Sequence, residues 1–353
     1  MARAYVERFD PFLEPAEADA MVRLFEGFPG GYGMYVQESP TEGIGRGFLQ
    51  RHDAAMHFFE TGGRSGKAVS LETFAARANT LRATYAYDRP VVDGIEPLLS
   101  NEKFTEAARR LFGKPVVVPN IVYANIVLPG QELSVHTDVP EFRGASRKHE
   151  PEWLLVVMHL SGLFERWRMP IATGVSWYGN CAGGGFYSYP EGIEGPEEQF
   201  EPKHNTAALL DTDSVFHGVD LVGEPDVELP DLQPGMRLIH DGGPRWHVER
   251  DGRELARYHW DDIRLSISWK AYCFADESER RMVEEHTDDL THDRIMAMLV
   301  EDLRRRGRIR GEVPPDRELG EMLMREYVRF PLQPHARRAP AGMAPQSTEA
   351  RPS

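Results

Sequence analysis

The chain has 353 residues, a mass of 40.0 kDa and a composition that is 41% hydrophobic and 27% charged, which specifies a globular protein with a sizeable core. Its formal net charge of −15 argues against a nucleic-acid surface, which needs clustered Lys and Arg. The longest apolar runs, such as Trp153 to Met158, fall far short of the roughly 20 residues a membrane span requires.

The opening, MARAYVERFDPFLEP, has no apolar stretch of the kind that signals secretion, so a cytoplasmic location is expected. A short strand and then a helix over Pro15 to Phe28 are predicted, with proline at the helix start and Met21, Val22, Leu24 and Phe25 as the apolar face. Residues 39 to 70, rich in Gly, Ser and charge, read as long loops. Within them GGRSGKA (62 to 68) has the flavour of a phosphate loop but lacks its spacing and the hydroxyl residue after Lys67. Thr105 to Phe112 reads as a helix capped by Thr105 and stopped by Gly113.

From there the character is β. Val116 to Val127 is a strand, Pro129-Gly130 a turn, and Leu133 to Asp138 the next strand. Further strands are predicted at Leu154 to Leu160, Gly185 to Tyr189, Ala207 to Leu210 and Val215 to Val219. A hairpin follows, Trp246 to Arg250 and Arg253 to Tyr258, closed by Asp251-Gly252, and the last strand is Ile263 to Phe274. Short strands separated by Gly/Pro turns point to an antiparallel barrel or jelly roll. Helices return at Glu277 to Glu285, Thr291 to Arg306 and Asp316 to Val328. The basic run Arg304 to Arg310 ends an acidic helical stretch, where cations oppose the helix dipole. Two cysteines, Cys181 and Cys273, make neither a disulfide framework nor a zinc pairing. One domain over 1–333 is expected: an N-terminal support (1–115), a β core (116–274) with an insert (220–262), and C-terminal helices (275–333). The Pro/Ala/Ser-rich residues 334–353 read as a disordered tail.

Four His-x-acid pairs occur: His136/Asp138, His247/Glu249, His259/Asp261 and His286/Asp288. The last is predicted on a helix, where positions two apart face away from each other. The middle two have strand geometry but no further histidine downstream except on helices and in the tail. His136 and Asp138 lie at a strand end and share one face. Downstream, "ALLDTDSVFHGVD" presents His217 on a second strand. Two histidines and one carboxylate are the ligand set of a facial triad, which leaves three positions of an octahedral Fe(II) open. In "DDIRLSISWKAYCF" one strand face carries Arg264, Ser266 and Ser268, and an Arg with a Ser two residues on suits a planar carboxylate. Lys270 shares the parity of Arg264 but reads as a surface charge beside the C-terminal helices.

His136-Thr137-Asp138, His217 in "SVFHGV" and Arg264-Leu265-Ser266 together resemble the Fe(II)/2-oxoglutarate-dependent dioxygenase superfamily. "LPGQELSVHTD" is similar to the strand carrying the proximal histidine in prolyl-hydroxylase-like and phytanoyl-type members, and "GGGFYSYP" (183–190) to the Gly-Gly strand opposite the site. The resemblance covers roughly residues 103 to 274. It implies a mainly β core, a double-stranded β-helix of the jelly-roll or cupin-like kind, with flanking α-helices at both ends. It implies that His136, Asp138 and His217 bind Fe(II), that Arg264, with Ser266 beside it, holds the distal carboxylate of 2-oxoglutarate, and that O2 takes a remaining position. Hydroxylation or desaturation of an unactivated C–H follows, because Asp138 is present and no position is vacated for halide. Where prolyl-hydroxylase-like members have a tyrosine about nine residues before the proximal histidine, this chain has Val127; Tyr123 or Asn125, on the same strand face, are the candidates to replace it. For substrate contact Trp177 and Tyr187 are candidates, with core packing the alternative. A small-molecule substrate is expected, with no nucleic acid and no membrane partner. A protein or peptide hydroxylase, and a cupin-like metal- or ligand-binding protein without oxygen chemistry, remain as alternatives. The insert, with 46 residues between His217 and Arg264, reads as a substrate lid or as a surface hairpin.

Overall fold

The computed structural model describes residues 3–34, 40–64, 80–224, 227 and 232–332. The expected tail (334–353) and most of the GGRSGKA segment lie outside the described residues. The strands are β1 (Val6–Phe9), β2 (Tyr32–Met34), β3 (Leu81–Tyr87), β4 (Arg89–Pro90), β5 (Val116–Val127), β6 (Leu133–His136), β7 (Glu141–Phe142), β8 (Arg168–Met169), β9 (Ile171–Tyr178), β10 (Phe186–Ser188), β11 (Glu198–Phe200), β12 (Thr206–Leu210), β13 (His217–Val219), β14 (Arg237–His240), β15 (Arg245–Arg250), β16 (Arg253–His259) and β17 (Arg264–Phe274). The helices are α1 (Pro15–Gly27), α2 (His52–Thr61), α3 (Glu96–Leu99), α4 (Glu102–Phe112), α5 (Glu152–Ser161), α6 (Glu277–Glu284), α7 (His292–Arg305) and α8 (Asp316–Tyr327).

Eleven strands form one antiparallel sheet in the order β1-β12-β9-β17-β5-β3-β2-β14-β15-β16, with β4 beside β3. A four-stranded antiparallel sheet, β11-β10-β13-β6, lies against it. The two faces meet through Trp177, Ala208 and Leu210 of the large sheet and Phe186 of the small one, with Val215 in the same cluster. On β17 the alternation is strict. Leu265, Ile267, Trp269, Ala271 and Cys273 point outward into a core closed by α1 and α4, while the even-numbered residues face the small sheet. A second core lies beneath α5, α7 and α8.

Several elements differ from the sequence expectation. Leu154 to Leu160 belongs to α5, not to a strand. Its residues Trp153 through Met158 are all buried, so no polar face marks a helical period. Part of the long-loop region 39–70 is α2. The cap of α4 is Asn101, whose side chain accepts from the Phe104 amide, and Thr105 sits inside the helix. His286 falls in the turn after α6 with a left-handed backbone (φ 54°), not on a helix. The hairpin β15–β16 is as expected, with Asp251 and Gly252 at φ 52° and 74°, the left-handed pair a two-residue turn needs. It extends the large sheet through β14 and β2.

Candidate metal centre and its cavity

β6 and β13 pair so that His136 stands directly opposite His217. β6 ends there, and the chain carries Asp138 beside both rings. Asp138 Oδ1 lies 3.7 Å from Nε2 of each histidine. The three ligand atoms fall within 4.8 Å of one another, and among the described residues this is the one such group of His, Cys, Asp and Glu side chains.

The backbone sets the direction of both rings. His136 Nδ1 is 2.6 Å from the Ser134 carbonyl and His217 Nδ1 is 2.9 Å from the Val215 carbonyl. A carbonyl only accepts, so each Nδ1 carries the proton and each Nε2 lone pair faces Asp138. Burial, then the His217 ring and Arg51, push His136 down to about 3; burial likewise lowers His217. Both imidazoles are therefore neutral at ordinary pH, the form that ligates metal. Burial alone would raise the Asp138 carboxyl, but Lys270 and the two histidines hold it well below the usual range. The donor set, with two fixed neutral imidazoles and one ionised carboxylate, fits a divalent cation.

The surroundings hold this loop in place. Arg51, at the N-terminus of α2, forms a two-pronged pair with Asp53 and donates to the Thr137 carbonyl at 2.7 Å, between the two ligands. The Asp138 amide donates to the Thr212 carbonyl at 2.8 Å. Thr212 in turn donates its hydroxyl to Thr173 of β9 at 2.7 Å.

Lys270 is not the surface charge the sequence suggested. Its side chain is 12% exposed and Nζ sits 2.7 Å from Asp138 Oδ2. The even face of β17 looks into the space between the sheets, and Lys270 is cross-strand from Thr173. Close by, Asp213 is fully buried and neither carboxylate oxygen has a hydrogen-bond partner among the described residues. Burial pushes its carboxyl up to about 7, against the opposing pull of Lys270.

Arg264 is 3% exposed. Its Nε donates to the Gly184 carbonyl at 2.8 Å, its Nη1 lies 3.4 Å from Ser266 Oγ, and its guanidinium lies 5.8 Å from the Trp177 ring. It forms no ion pair with a carboxylate among the described residues, and burial lowers it to about 10, an unusual state for an arginine. Ser266 donates to the Asn125 carbonyl at 2.8 Å. The Phe186 ring lies 5.6 Å from His217 and 5.9 Å from Trp177.

A cavity of about 660 Å³ opens over His136, Asp138 and Lys270. Tyr123 lines it together with Arg51 and Arg82; Arg264, Ser266 and Asn125 do not. The Asn125 side chain is bonded to Thr80 and, at 3.4 Å, to Arg82. Trp177 packs against Phe186 and Phe200 between the sheets. Tyr187 lies on the opposite face of β10, where its hydroxyl donates to the Leu133 carbonyl at 3.3 Å and Arg64 covers its ring. The structure therefore places Tyr187 away from the triad and its cavity. His247 and Glu249 lie on β15, His259 ends β16 and Asp261 follows in a single helical turn, and no described residue of 220–262 lines the cavity. Arg51, Arg82 and Asp213 went unrecognised in the sequence. Nothing local marks them, since their roles arise from contacts across 86 residues for Arg51 and 43 for Arg82.

The sequence matches no protein-family model and no curated protein. Among solved structures, a prolyl-4-hydroxylase from Pseudomonas putida is similar at 10% identity, with 77% of this chain and 94% of that chain covered and a TM-score of 0.36. The non-heme alpha ketoglutarate dependent carbocyclase SnoK from nogalamycin biosynthesis is similar at 8% identity, with 80% and 87% covered and a TM-score of 0.37. HygX from Streptomyces hygroscopicus, with nickel, 2-oxoglutarate and hygromycin B bound, is similar at 9% identity, with 77% and 84% covered and a TM-score of 0.36. Likeness at this level assigns no activity to the chain. No helix among the described residues is long and apolar enough to cross a membrane.

Proposed function

We propose that this protein is an Fe(II)- and 2-oxoglutarate-dependent oxygenase that hydroxylates or desaturates an unactivated C–H of a small molecule, releasing succinate and CO2. On this reading the two facing sheets are a double-stranded β-helix. The observation that carries the proposal is the triad: His136, Asp138 and His217 converge, with both imidazole tautomers fixed by backbone carbonyls.

His136, Asp138 and His217 would hold the ion, which when bound would supply the oxidising chemistry with 2-oxoglutarate and O2. The chain's own residues do the rest. Arg51 and the Thr212 carbonyl fix the loop that bears Asp138. Arg264 supplies a buried positive charge that no carboxylate among the described residues pairs with. A buried unpaired charge is costly to keep, and a ligand carboxylate removes that cost, with Ser266 as a neighbouring hydroxyl. A cupin-like binding protein without oxygen chemistry gives Arg264 no role. The 660 Å³ cavity is in the range of small-molecule sites, which supports a substrate the size of an amino acid or a natural-product intermediate.

The test is succinate formation from 2-oxoglutarate with added Fe(II), screened against metabolite pools for stimulation. Succinate that depends on Fe(II), and is lost in His136→Ala and Asp138→Ala, supports the proposal. No turnover with any pool, together with no binding of 2-oxoglutarate, contradicts it.

A further inference from the structure

Two features near the triad are unexplained by metal ligation. One is a lysine whose ammonium is held by a ligand carboxylate, Lys270 on Asp138 at 2.7 Å. The other is a fully buried carboxylate, Asp213, with neither oxygen partnered among the described residues. A buried carboxylate without a partner is expensive, and structures keep such a group where some state of the molecule uses it. A dication at Oδ1 of Asp138, the oxygen facing the histidines, and an ammonium on its Oδ2 repel each other across one carboxylate, so each weakens the hold on the other.

The two features are linked through the backbone. Asp213 follows Thr212. The Thr212 carbonyl accepts from the Asp138 amide, and the Thr212 hydroxyl bonds Thr173, the cross-strand neighbour of Lys270. Asp213 therefore follows directly on the residue that ties the Asp138 loop to the strand beside Lys270, and the charges of Asp213 and Lys270 act on each other. Two other basic groups are near: Arg51 pairs with Asp53 at 2.9 Å, and Arg168 pairs through Nη2 with Asp211 at 2.6 Å while its buried Nε has no partner among the described residues and its charge also acts on Asp213. A lysine on a four-carbon stem can change partner by rotating its side chain, leaving β17 in place.

We propose that Lys270 is a positioning residue of the metal site, held by Asp138 while the site is metal-free and passed to the carboxylate of Asp213 when a divalent cation takes Asp138. Asp213 is then the residue that lets the metal in, because it gives the displaced ammonium a buried partner. In the metal-free protein Lys270 neutralises Asp138 and keeps the ligand loop from being an uncompensated anion. This inference rests on the triad reading of the site.

The test is a double-mutant cycle on metal affinity, measured by anaerobic calorimetry with Fe(II) or Mn(II) alone and without 2-oxoglutarate. Lys270→Met removes the competitor and should tighten metal binding about tenfold, the scale of coupling between groups in contact. Asp213→Asn should weaken it about tenfold in the native background, yet by no more than about twofold once Lys270 is Met. An Asp213→Asn effect of equal size in both backgrounds would overturn the proposal, since the carboxylate would then act on the ion directly. Unchanged or weaker binding in Lys270→Met would also overturn it, and that arm decides alone if Asp213→Asn does not fold. His217→Ala separates this inference from the triad. Wild-type binding that His217→Ala abolishes, combined with a flat cycle, removes only the role of Lys270 and Asp213. No metal binding by the wild type, or binding that survives His217→Ala, removes the triad as well.

Discussion

Arg264 and Lys270 share one face of β17, and the structure gives them opposite circumstances. Lys270 has an anionic partner and Arg264 has none among the described residues. Two expectations follow at the level of single residues. Arg264→Ala should raise the 2-oxoglutarate concentration needed for turnover by about 10- to 150-fold, the value of a charge-assisted hydrogen bond, with metal affinity little changed. Arg264→Met should leave the melting temperature of the ligand-free protein at or above that of wild type, because it removes an uncompensated buried charge. The same variant should lose the stabilisation that 2-oxoglutarate confers on the wild type. A ligand-free Arg264→Met protein that melts well below wild type would mean that the bonds to Gly184 and Ser266 outweigh the cost of the charge. The His-x-acid pairs outside the triad give a matching control: His259→Ala and His286→Ala, at exposed positions, should leave metal binding intact.

At the scale of elements, the site depends on the register between β6 and β13. Gly218 sits between the ligand His217 and Val219, and a Cβ there would meet Tyr187 Oη at 2.3 Å and the Leu133 carbonyl at 2.6 Å. Tyr187 is fully buried and cannot yield. Gly218→Ala should therefore shift β13 against β6, weakening metal binding at least tenfold, about 1.4 kcal/mol, although every ligand remains. Calorimetry on Gly218→Ala checks this, and native affinity would show that the strands absorb the methyl group. The strands bearing the triad and Arg264 were legible because turns punctuate them: Pro129-Gly130 before β6 and Asp211-Thr212-Asp213 before β13. β9 was missed because Gly174 interrupts its pattern. That glycine is required by packing, since a Cβ would meet the Phe104 ring at 2.7 Å. α5 was misread because Trp153-Leu-Leu-Val-Val-Met158 is apolar on every side, and an all-buried helix and a buried strand look alike in sequence. Lys270 was misplaced for another reason. Its parity with Arg264 was visible, but parity cannot show that β6 brings Asp138 across to meet it.

For the molecule as a whole, the buried histidines govern the response to acid. Burial pushes His52, His57 and His159 down to about 4 and His136 to about 3, and it lowers His217 as well. In the unfolded chain a histidine titrates near 6.5. Between these values the unfolded state binds more protons, so stability falls as pH falls from about 6.5 to about 4. Asp213, pushed up to about 7, works in the opposite direction, but it is one group against five. Denaturant titrations of the metal-free protein should show a steady loss of stability across that window. A flat profile from pH 6.5 to 4 would mean that these imidazoles are not held neutral in the folded state. Bound metal should deepen the loss on acidification, because protons then compete with the ion for His136 and His217.

On the proposed reading the triad of His136, Asp138 and His217 holds an iron that also takes 2-oxoglutarate. Anaerobic titration of the wild-type protein with Fe(II) and then 2-oxoglutarate tests it most directly. A weak visible absorption band that requires both additions, disappears in His217→Ala and needs more 2-oxoglutarate in Arg264→Ala is the predicted result. No band in a wild-type protein that is folded and supplied with Fe(II), or a band that persists unchanged in His217→Ala, would contradict the account.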